Sequence, residues 1–289
     1  LSFNLKSVVV VALIFLVSAC VSPPPPPFVS EIDRLTARAE QVEIIRDEFG
    51  VPHIFGKTDA DAVFGLLYAQ AEDDFKRVER NYIWAIGRLA EVEGEKALYS
   101  DLRARLFMSV EQAKLDYQNS PTALKDLCDA FADGLNYYLA THPNVKPALL
   151  KKFEPWMPMF FSEGSIGGDI EQISEKGVAA FYGDKAVHQD TPDLAMVEPS
   201  GSNGFAISGK LTKSGDAMLL INPHTSFYFR PEVHVVSEEG LNAYGAVTWG
   251  QFFVYQGFNQ KNGWMHTSTR VDFMDEYLET IIERGEDLY

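Results

Sequence analysis

Alternating apolar and polar positions predict that a β-hairpin opens the folded part of the chain. Residues 41–45 alternate in the manner of a strand, and residues 51–55 can return as a second strand beside it. Between them, Asp-Glu-Phe-Gly at 47–50 provides turn chemistry, because Asp and Gly favour the backbone angles and local hydrogen bonds of tight turns.

Helical periodicity follows the hairpin and predicts a mainly helical first half. Thr58 and Asp61 have the spacing of a capping box, in which each side chain satisfies an orphan amide of the first helical turn. Apolar residues then recur with helical spacing, and Gly94 is expected to end the stripe. A second amphipathic pattern over residues 125–139 predicts another helix, which a proline-containing loop ends.

The second half of the chain changes to short β-prone runs that are separated by turns containing Gly, Asn and Pro. Residues 213–216, Lys-Ser-Gly-Asp, have the composition of a hairpin turn between the first two runs. We therefore expect sheet in this half, with strands at residues 203–208, 217–222, 234–237 and 251–255.

Composition and charge exclude several classes of protein. The 289 residues include 25 Lys and Arg against 41 Asp and Glu, a formal net charge of −16. Because no block of basic residues is present, nucleic acid is not expected as a partner. A hydrophobic share of 46% fits a packed core and excludes general disorder. The two cysteines, Cys20 and Cys128, are too few for a disulfide framework, and no Cys/His pair has zinc-site spacing.

The N-terminal segment has the pattern of an export signal. Lys6 precedes an apolar run over residues 8–17, which is too short to span a bilayer and has the length of a secretory hydrophobic region. The run ends in Val-Ser-Ala-Cys, which resembles a bacterial lipoprotein signal whose Cys20 is acylated and becomes the mature N-terminus. We therefore expect residues 1–19 to be a lipoprotein signal peptide. The alternative is an ordinary signal peptide with an incidental cysteine.

The segment that begins at Cys20 predicts a tether. Five consecutive prolines at 23–27 favour an extended spacer, so residues 20–30 are expected to join a lipid anchor to the folded part. Two or more acyl chains hold a protein firmly at a membrane surface. The expected location is therefore exported and membrane-anchored, facing the periplasm or the cell surface.

Short strings in both halves of the chain form an ordered series that spans most of residues 41–279. They are VEIIRDEFGVPHI (42–54), YAQAED (68–73), GRLAE (87–91), GSNGFAI (201–207), NPH (222–224), GFN (257–259) and DFMD (272–275). Together and in this order, they resemble the penicillin acylase family of N-terminal nucleophile amidases. A single string would be uninformative, whereas the ordered series is specific.

The resemblance implies an α+β fold of the αββα type, in which two packed sheets are flanked by helices, with a mainly helical N-terminal subunit. It divides the chain into a small subunit at 31–182, a connector at 183–201 and the start of a large subunit at 202–289. The family's large subunit continues much further, so we expect an N-terminal fragment in which the sandwich is incomplete. The two subunits are expected to form a heterodimer.

The resemblance also implies that a precursor is cut between Gly201 and Ser202, which frees Ser202 as the first residue of the large subunit. A serine hydroxyl is a poor nucleophile at neutral pH and needs a base. The α-amine of an N-terminal serine has an unperturbed pKa of about 7.7–8.0 and can take the hydroxyl proton through a water. The same hydroxyl is expected to attack the Gly201 carbonyl of the precursor. Taken alone, Gly-Ser-Asn-Gly would indicate only a turn.

Three further site residues are implied by the resemblance. Ser268 falls where the family supplies a backbone N–H to the oxyanion hole, and the second donor is an asparagine beyond Tyr289. His224 matches a histidine that supports the geometry and processing of the nucleophile, and Thr225 would face the acyl pocket. On the residues alone, Ser268 is equally an ordinary loop serine and His224 a structural histidine. Phe258 departs from the family, because many relatives have histidine there.

A calcium site is implied by the same resemblance. Asp272, Asp275 and the Met274 carbonyl match the family's calcium-binding run, and Asp169 is the best match for a ligand from the small subunit, with Glu171 as a rival. Ca²⁺ prefers such oxygen ligands. Without the resemblance, two carboxylates three residues apart would indicate a solvated helical turn. Calcium is expected to be structural, and no organic cofactor is expected.

The function that the resemblance implies is hydrolysis of a linear amide bond in an N-acylated small molecule, through an acyl-enzyme on Ser202. Within this class, acyl-homoserine lactones and β-lactams are alternative substrates that the sequence does not separate. An alternative from another class is a catalytically inactive, lipid-anchored binding or scaffolding module with the same fold.

Overall fold

The computed structural model describes the chain from residue 30 onward, with gaps. The expected signal peptide, Cys20 and the proline spacer lie outside the described residues, and so does most of the expected connector. No helix of the described part is long and apolar enough to cross a membrane. The described residues are 30–160, 173–183, 201–224, 230–267 and 277, with short backbone stretches at 283–284 and 287–288.

Helices predominate before residue 201 and strands after it, in agreement with the sequence pattern. Among the described residues the α-helices are α1 (Glu31–Ala39), α2 (Asp59–Ala85), α3 (Ala90–Glu93), α4 (Leu98–Arg105), α5 (Val110–Asn119), α6 (Thr122–Thr141) and α7 (Glu175–Phe181). The strands are β1 (Val42–Arg46), β2 (Pro52–Gly56), β3 (Ser202–Ile207), β4 (Met218–Pro223), β5 (Glu232–Ser237), β6 (Asn242–Ala246), β7 (Gln256–Phe258), β8 (Gly263–Trp264), β9 (Glu283–Arg284) and β10 (Asp287–Leu288).

The predicted opening hairpin is confirmed. β1 and β2 pair antiparallel. Gly50 adopts a φ of 83° at the turn, in the left-handed region that favours glycine. The Asp47 carboxylate accepts hydrogen bonds from the N–H groups of Phe49 and Val51 and so closes the turn.

α2 begins with the predicted capping box. The Thr58 hydroxyl accepts a hydrogen bond from the Asp61 N–H at 3.1 Å, and the Asp61 carboxylate accepts one from the Thr58 N–H at 3.2 Å. The helix runs for 27 residues with one non-helical residue, Asp74, and ends before the predicted Gly94. The chain turns at Gly87, whose φ is 66°, and Leu89, the last buried residue of the apolar stripe, directly precedes α3.

The core of the first half lies between α2 and α6. Gly134 of α6 lies so close to α2 that a side chain there would overlap the Phe64 carbonyl. The buried rings of Tyr82, Phe131 and Phe153 pack together with centroids 5.0 to 6.3 Å apart. These rings come from α2, from α6 and from the segment after α6, so they join all three. α6 contains the helix that the sequence predicts over residues 125–139.

A six-stranded sheet joins the two halves of the chain. Its strand order is β1-β2-β5-β6-β7-β8, and every neighbouring pair is antiparallel except the parallel pair of β2 and β5. α2 packs against β1, β2 and β5. Because β2 precedes residue 201 and β5 follows it, this parallel pair connects the expected small and large subunits.

Two histidines face each other across the parallel pair. His53 of β2 and His234 of β5 are register partners, and their Nδ1 atoms lie 2.9 Å apart. The Nε2 atom of His234 lies 3.0 Å from Oδ1 of Asn242, which can only accept a hydrogen bond. His234 therefore donates through Nε2, and the tautomers of the two rings decide which of them donates between the two Nδ1 atoms.

One predicted strand is wrong, and the strands β6 to β10 are not predicted. Residues 251–255 form a loop, and the strands near it are β6 and β7. The backbone at the start of this loop is bonded to side chains of α2. The Gln70 side chain donates to Gln251 O at 2.9 Å, and the Tyr82 hydroxyl donates to Gly250 O at 2.7 Å.

β3 and β4 form a separate two-stranded hairpin, which confirms the hairpin predicted around residues 213–216. The pairing runs from Ser202 opposite Pro223 to Ile207 opposite Met218. Gly215, in the predicted turn, has a φ of 83°. This hairpin carries several exposed apolar side chains, namely Phe205, Ile207, Met218, Leu219 and Leu220.

Polar side chains of α2 hold the loop that precedes β7. Gln70 is only 1% exposed, and its side-chain oxygen accepts a hydrogen bond from the Gly250 N–H at 2.8 Å while its nitrogen donates to Gln251 O. The Asn81 side chain donates to Trp249 O at 2.9 Å. Side chains of α2 therefore provide hydrogen-bond partners for backbone groups that follow residue 201 in the sequence.

Replacing Gln70 by alanine should leave the Gly250 N–H and the Gln251 carbonyl without partners. Two buried unsatisfied groups are expected to lower the free energy of unfolding by about 2–4 kcal/mol, measured by urea unfolding. Gln112→Ala is the matched control, because Gln112 makes an exposed hydrogen bond to Asp116 and its loss should change the value by less than about 0.5 kcal/mol. Equal effects of the two variants would contradict the role given to Gln70.

Cys128 of α6 is buried, and its thiol should be unreactive. Burial, together with the charge of Asp129, raises the pKa of this thiol to about 11. At pH 8 only about one thousandth of the Cys128 side chains are then in the reactive thiolate form. Burial of the side chain also keeps the labelling reagent away from it. In a Cys20→Ser variant, mass spectrometry should find no iodoacetamide adduct at pH 8 until denaturant is added. Labelling of the native protein at the rate of the denatured one would contradict this.

Candidate functional site

Ser202 is the first residue of β3 and is half-buried. Its hydroxyl donates a hydrogen bond to the carbonyl oxygen of Gly201 at 2.7 Å. The backbone N–H of His224, the residue after β4, donates to the Ser202 hydroxyl oxygen at 3.2 Å. The hydroxyl therefore lies beside the carbonyl group of the peptide bond that the resemblance implies is cut, and β4 helps to hold it there.

Gly201, directly before Ser202, has a backbone conformation that favours glycine. Its φ of 95° is a conformation that other residues adopt only with strain. A methyl group on Gly201 would meet the His224 ring at 3.9 Å, which is an ordinary contact. The backbone angle, and not a shortage of space, is what favours glycine before Ser202.

The β3–β4 hairpin packs closely against the chain at β8. A methyl group on Gly204 would overlap the side chain of Met265, and one on Gly263 would overlap the side chain of Leu219. Both glycines therefore permit the close approach of the hairpin to β8 and the residues after it. The second glycine of the Gly-Ser-Asn-Gly run has this packing role.

Thr267 is bonded to both sides of Ser202. The Ser202 N–H donates to the Thr267 hydroxyl at 3.0 Å, and the same hydroxyl donates to the Ser202 carbonyl oxygen at 2.8 Å. Sequence reasoning missed Thr267, although it directly precedes the predicted Ser268. The groups that form these hydrogen bonds with Ser202 are all uncharged.

The His224 ring is held by two asparagines. Its Nε2 atom lies 3.0 Å from the Asn203 side-chain nitrogen and 3.3 Å from the Asn222 side-chain oxygen. The Nε2 atom accepts a hydrogen bond from Asn203 in one tautomer of the ring and donates one to Asn222 in the other. Among the described residues, His224 contacts the Ser202 hydroxyl through its backbone, and the supporting role of the ring stays a prediction.

The other residues implied for the substrate site are placed only in part. Ser268 and Thr225 lie outside the described residues. Phe258 is on β7, opposite Tyr244 of β6, with the two ring centroids 5.6 Å apart. The Phe258 side chain is half exposed, so it occupies a surface position at this end of the sheet.

The expected calcium site falls outside the part of the chain that the structure describes. Its predicted ligands Asp169, Asp272, Met274 and Asp275, and the rival Glu171, are all in gaps. Within the described ranges there is no group of three or more His, Cys, Asp or Glu side chains that could hold a metal ion. Calcium binding therefore stays a prediction.

Comparison with known proteins shows similarity to acylases. The chain is 26% identical to an acyl-homoserine lactone acylase, PvdQ, of Pseudomonas fluorescens (strain Pf0-1), in a match that covers 78% of this chain and 32% of the relative. It is 25% identical to the acyl-homoserine lactone acylase QuiP of Pseudomonas aeruginosa, over 91% of this chain and 37% of the relative. The chain thus spans about a third of the length of these curated relatives.

A solved structure and a family model also match. The structure is a thermostable penicillin G acylase from Alcaligenes faecalis, with 19% identity, a TM-score of 0.39, and coverage of 55% of this chain and 97% of that chain. The model of the penicillin amidase family matches residues 41–289, which is most of the sequence. The ordered strings and the family match agree, and the chain belongs to the penicillin amidase family.

Proposed function

We propose that the protein containing this chain is an acylase that hydrolyses a linear amide bond of an N-acylated small molecule, with Ser202 as nucleophile. The observation that carries the proposal is the position of the Ser202 hydroxyl, 2.7 Å from the Gly201 carbonyl oxygen and hydrogen-bonded by the His224 N–H. Membership of the penicillin amidase family supports the class of reaction.

The first step of the proposal is self-cleavage of the precursor. The Ser202 hydroxyl oxygen attacks the Gly201 carbonyl carbon, the bond from that carbon to the Ser202 nitrogen breaks, and the hydroxyl proton ends on that nitrogen. Water then hydrolyses the resulting ester, which leaves a carboxylate on Gly201 and a free α-amine on Ser202. The hydroxyl already lies beside this carbonyl group, to whose oxygen it donates a hydrogen bond.

The second step is catalysis by the freed serine. The α-amine takes the hydroxyl proton, the oxygen attacks the substrate amide carbon, and the leaving amine receives the proton. Water then hydrolyses the acyl-enzyme. The tetrahedral intermediate needs fixed donors, of which the Ser268 N–H is the proposed one in this chain.

Acyl-homoserine lactones are the first substrates to test, because the relatives described above are named for them. β-Lactam amides are the alternative within the class. The acyl preference is proposed to depend on the pocket that Thr225 faces. A structural calcium ion on Asp169, Asp272, Met274 and Asp275, a lipid anchor on Cys20, and a location facing the periplasm or the cell surface complete the proposal.

Replacing Ser202 by alanine should abolish self-cleavage, because it removes the hydroxyl oxygen that is proposed to attack the Gly201 carbonyl. Denaturing electrophoresis of the full-length precursor should show two pieces for the wild type and one for Ser202→Ala. Ser208→Ala, directly after the end of the same strand, is the matched control and should give two pieces. An uncut wild-type chain that hydrolyses neither a phenylacetyl nor a long-acyl amide would favour the inactive binding module instead.

Replacing His224 by alanine should slow self-cleavage by less than about tenfold. The variant keeps the backbone N–H that bonds the Ser202 hydroxyl, and the hydrogen bond of the ring Nε2 atom that it loses is an exposed one worth about 1 kcal/mol. The time course of cleavage measures this effect. A block as complete as that of Ser202→Ala would mean that the ring takes part in the chemistry.

A further inference from the structure

The Thr267 hydroxyl contacts the two peptide groups that flank the side chain of Ser202. It accepts a hydrogen bond from the Ser202 N–H and donates one to the Ser202 carbonyl oxygen, at 3.0 and 2.8 Å. The two residues are 65 positions apart in the sequence, so this is a tertiary contact between the segment after β8 and the start of β3.

These two hydrogen bonds fix the backbone of the nucleophile. With the peptide nitrogen and the carbonyl oxygen of Ser202 both held, its side chain has one remaining rotation, about the Cα–Cβ bond. The His224 N–H and the Gly201 carbonyl oxygen then select the rotamer through the hydroxyl. The orientation of the oxygen toward the Gly201 carbonyl therefore depends on Thr267 as well as on the hairpin.

We propose that Thr267 is a positioning residue for Ser202 both before and after cleavage, an inference that rests on the proposed function. In the precursor it holds the nitrogen that must leave the Gly201 carbonyl carbon. In the mature protein the same nitrogen is the α-amine that must accept the hydroxyl proton. One hydroxyl oxygen thus orients one nitrogen atom through both reactions.

An uncharged acceptor suits this role. A carboxylate next to the amine would stabilise the ammonium form and raise its pKa, so that less of the amine could act as a base at neutral pH. A hydroxyl group stabilises the ammonium form much less, which leaves a useful neutral fraction. Threonine adds stiffness, because its branched side chain has fewer rotamers than serine.

The experiment compares self-cleavage of the full-length precursor with three variants. Thr267→Val keeps the shape but removes both hydrogen bonds, and it should slow cleavage by about 10- to 100-fold, the combined effect of two hydrogen bonds. Thr267→Ser keeps the hydroxyl and should cleave within about threefold of the wild type. Thr212→Val is the matched control, since its hydroxyl bonds Gly209 O and Asp216 O within the β3–β4 connection, and it should also cleave normally.

A second readout separates positioning from folding. In cleaved Thr267→Val protein, the acid limb of the profile of kcat/KM against pH should move to lower pH, because the ammonium form has lost an acceptor. Wild-type cleavage rates in Thr267→Val would overturn the inference and leave the proposed function standing. A thermal midpoint far below that of Thr212→Val would also overturn it, as a folding effect. A wild-type precursor that is never cut would overturn the proposed function itself.

Discussion

The buried loop at residues 249–251 has its backbone groups paired by side chains of α2, and the arrangement of the second half of the sheet depends on this pairing. Gln70, Asn81 and Tyr82 supply the partners. A buried backbone group without a partner destabilises the folded state by about 1–3 kcal/mol, so the loop has a strong preference for this one position on the helix. A helix that precedes residue 201 therefore holds the loop from which β7 begins.

A short series of contacts connects this loop to Ser202. The loop leads into β7, which pairs with β8, and the Trp264 side chain of β8 donates back to Val254 O at 3.1 Å. Three residues after Trp264, the Thr267 hydroxyl holds Ser202. The nucleophile is thus located by a strand pair that the other half of the chain holds in place, and neither half contains the whole arrangement.

The sequence predicts the local parts of this structure well. Its turn and capping patterns give the first hairpin and the start of α2, and family membership confirms the expected α+β class of the N-terminal nucleophile hydrolases. The strand predicted at 251–255 is wrong because the backbone where it would begin, at Gly250 and Gln251, is bonded to the side chains of Tyr82 and Gln70, a long-range contact without a local signal. Thr267 was missed for the same reason, since only the tertiary fold brings its hydroxyl to Ser202.

The parallel pairing of β2 with β5 sets an order of events during biosynthesis. His53 and His234 are 181 residues apart, and at the usual speed of translation β2 waits roughly 10–40 s before its partner has been made. During that interval one edge of the first hairpin is open, while α2 and α6 can already pack. Pairing strands that are distant in the sequence is slow. We therefore expect the sheet to close before the proposed cut, so that the release of Ser202 follows the completion of the fold.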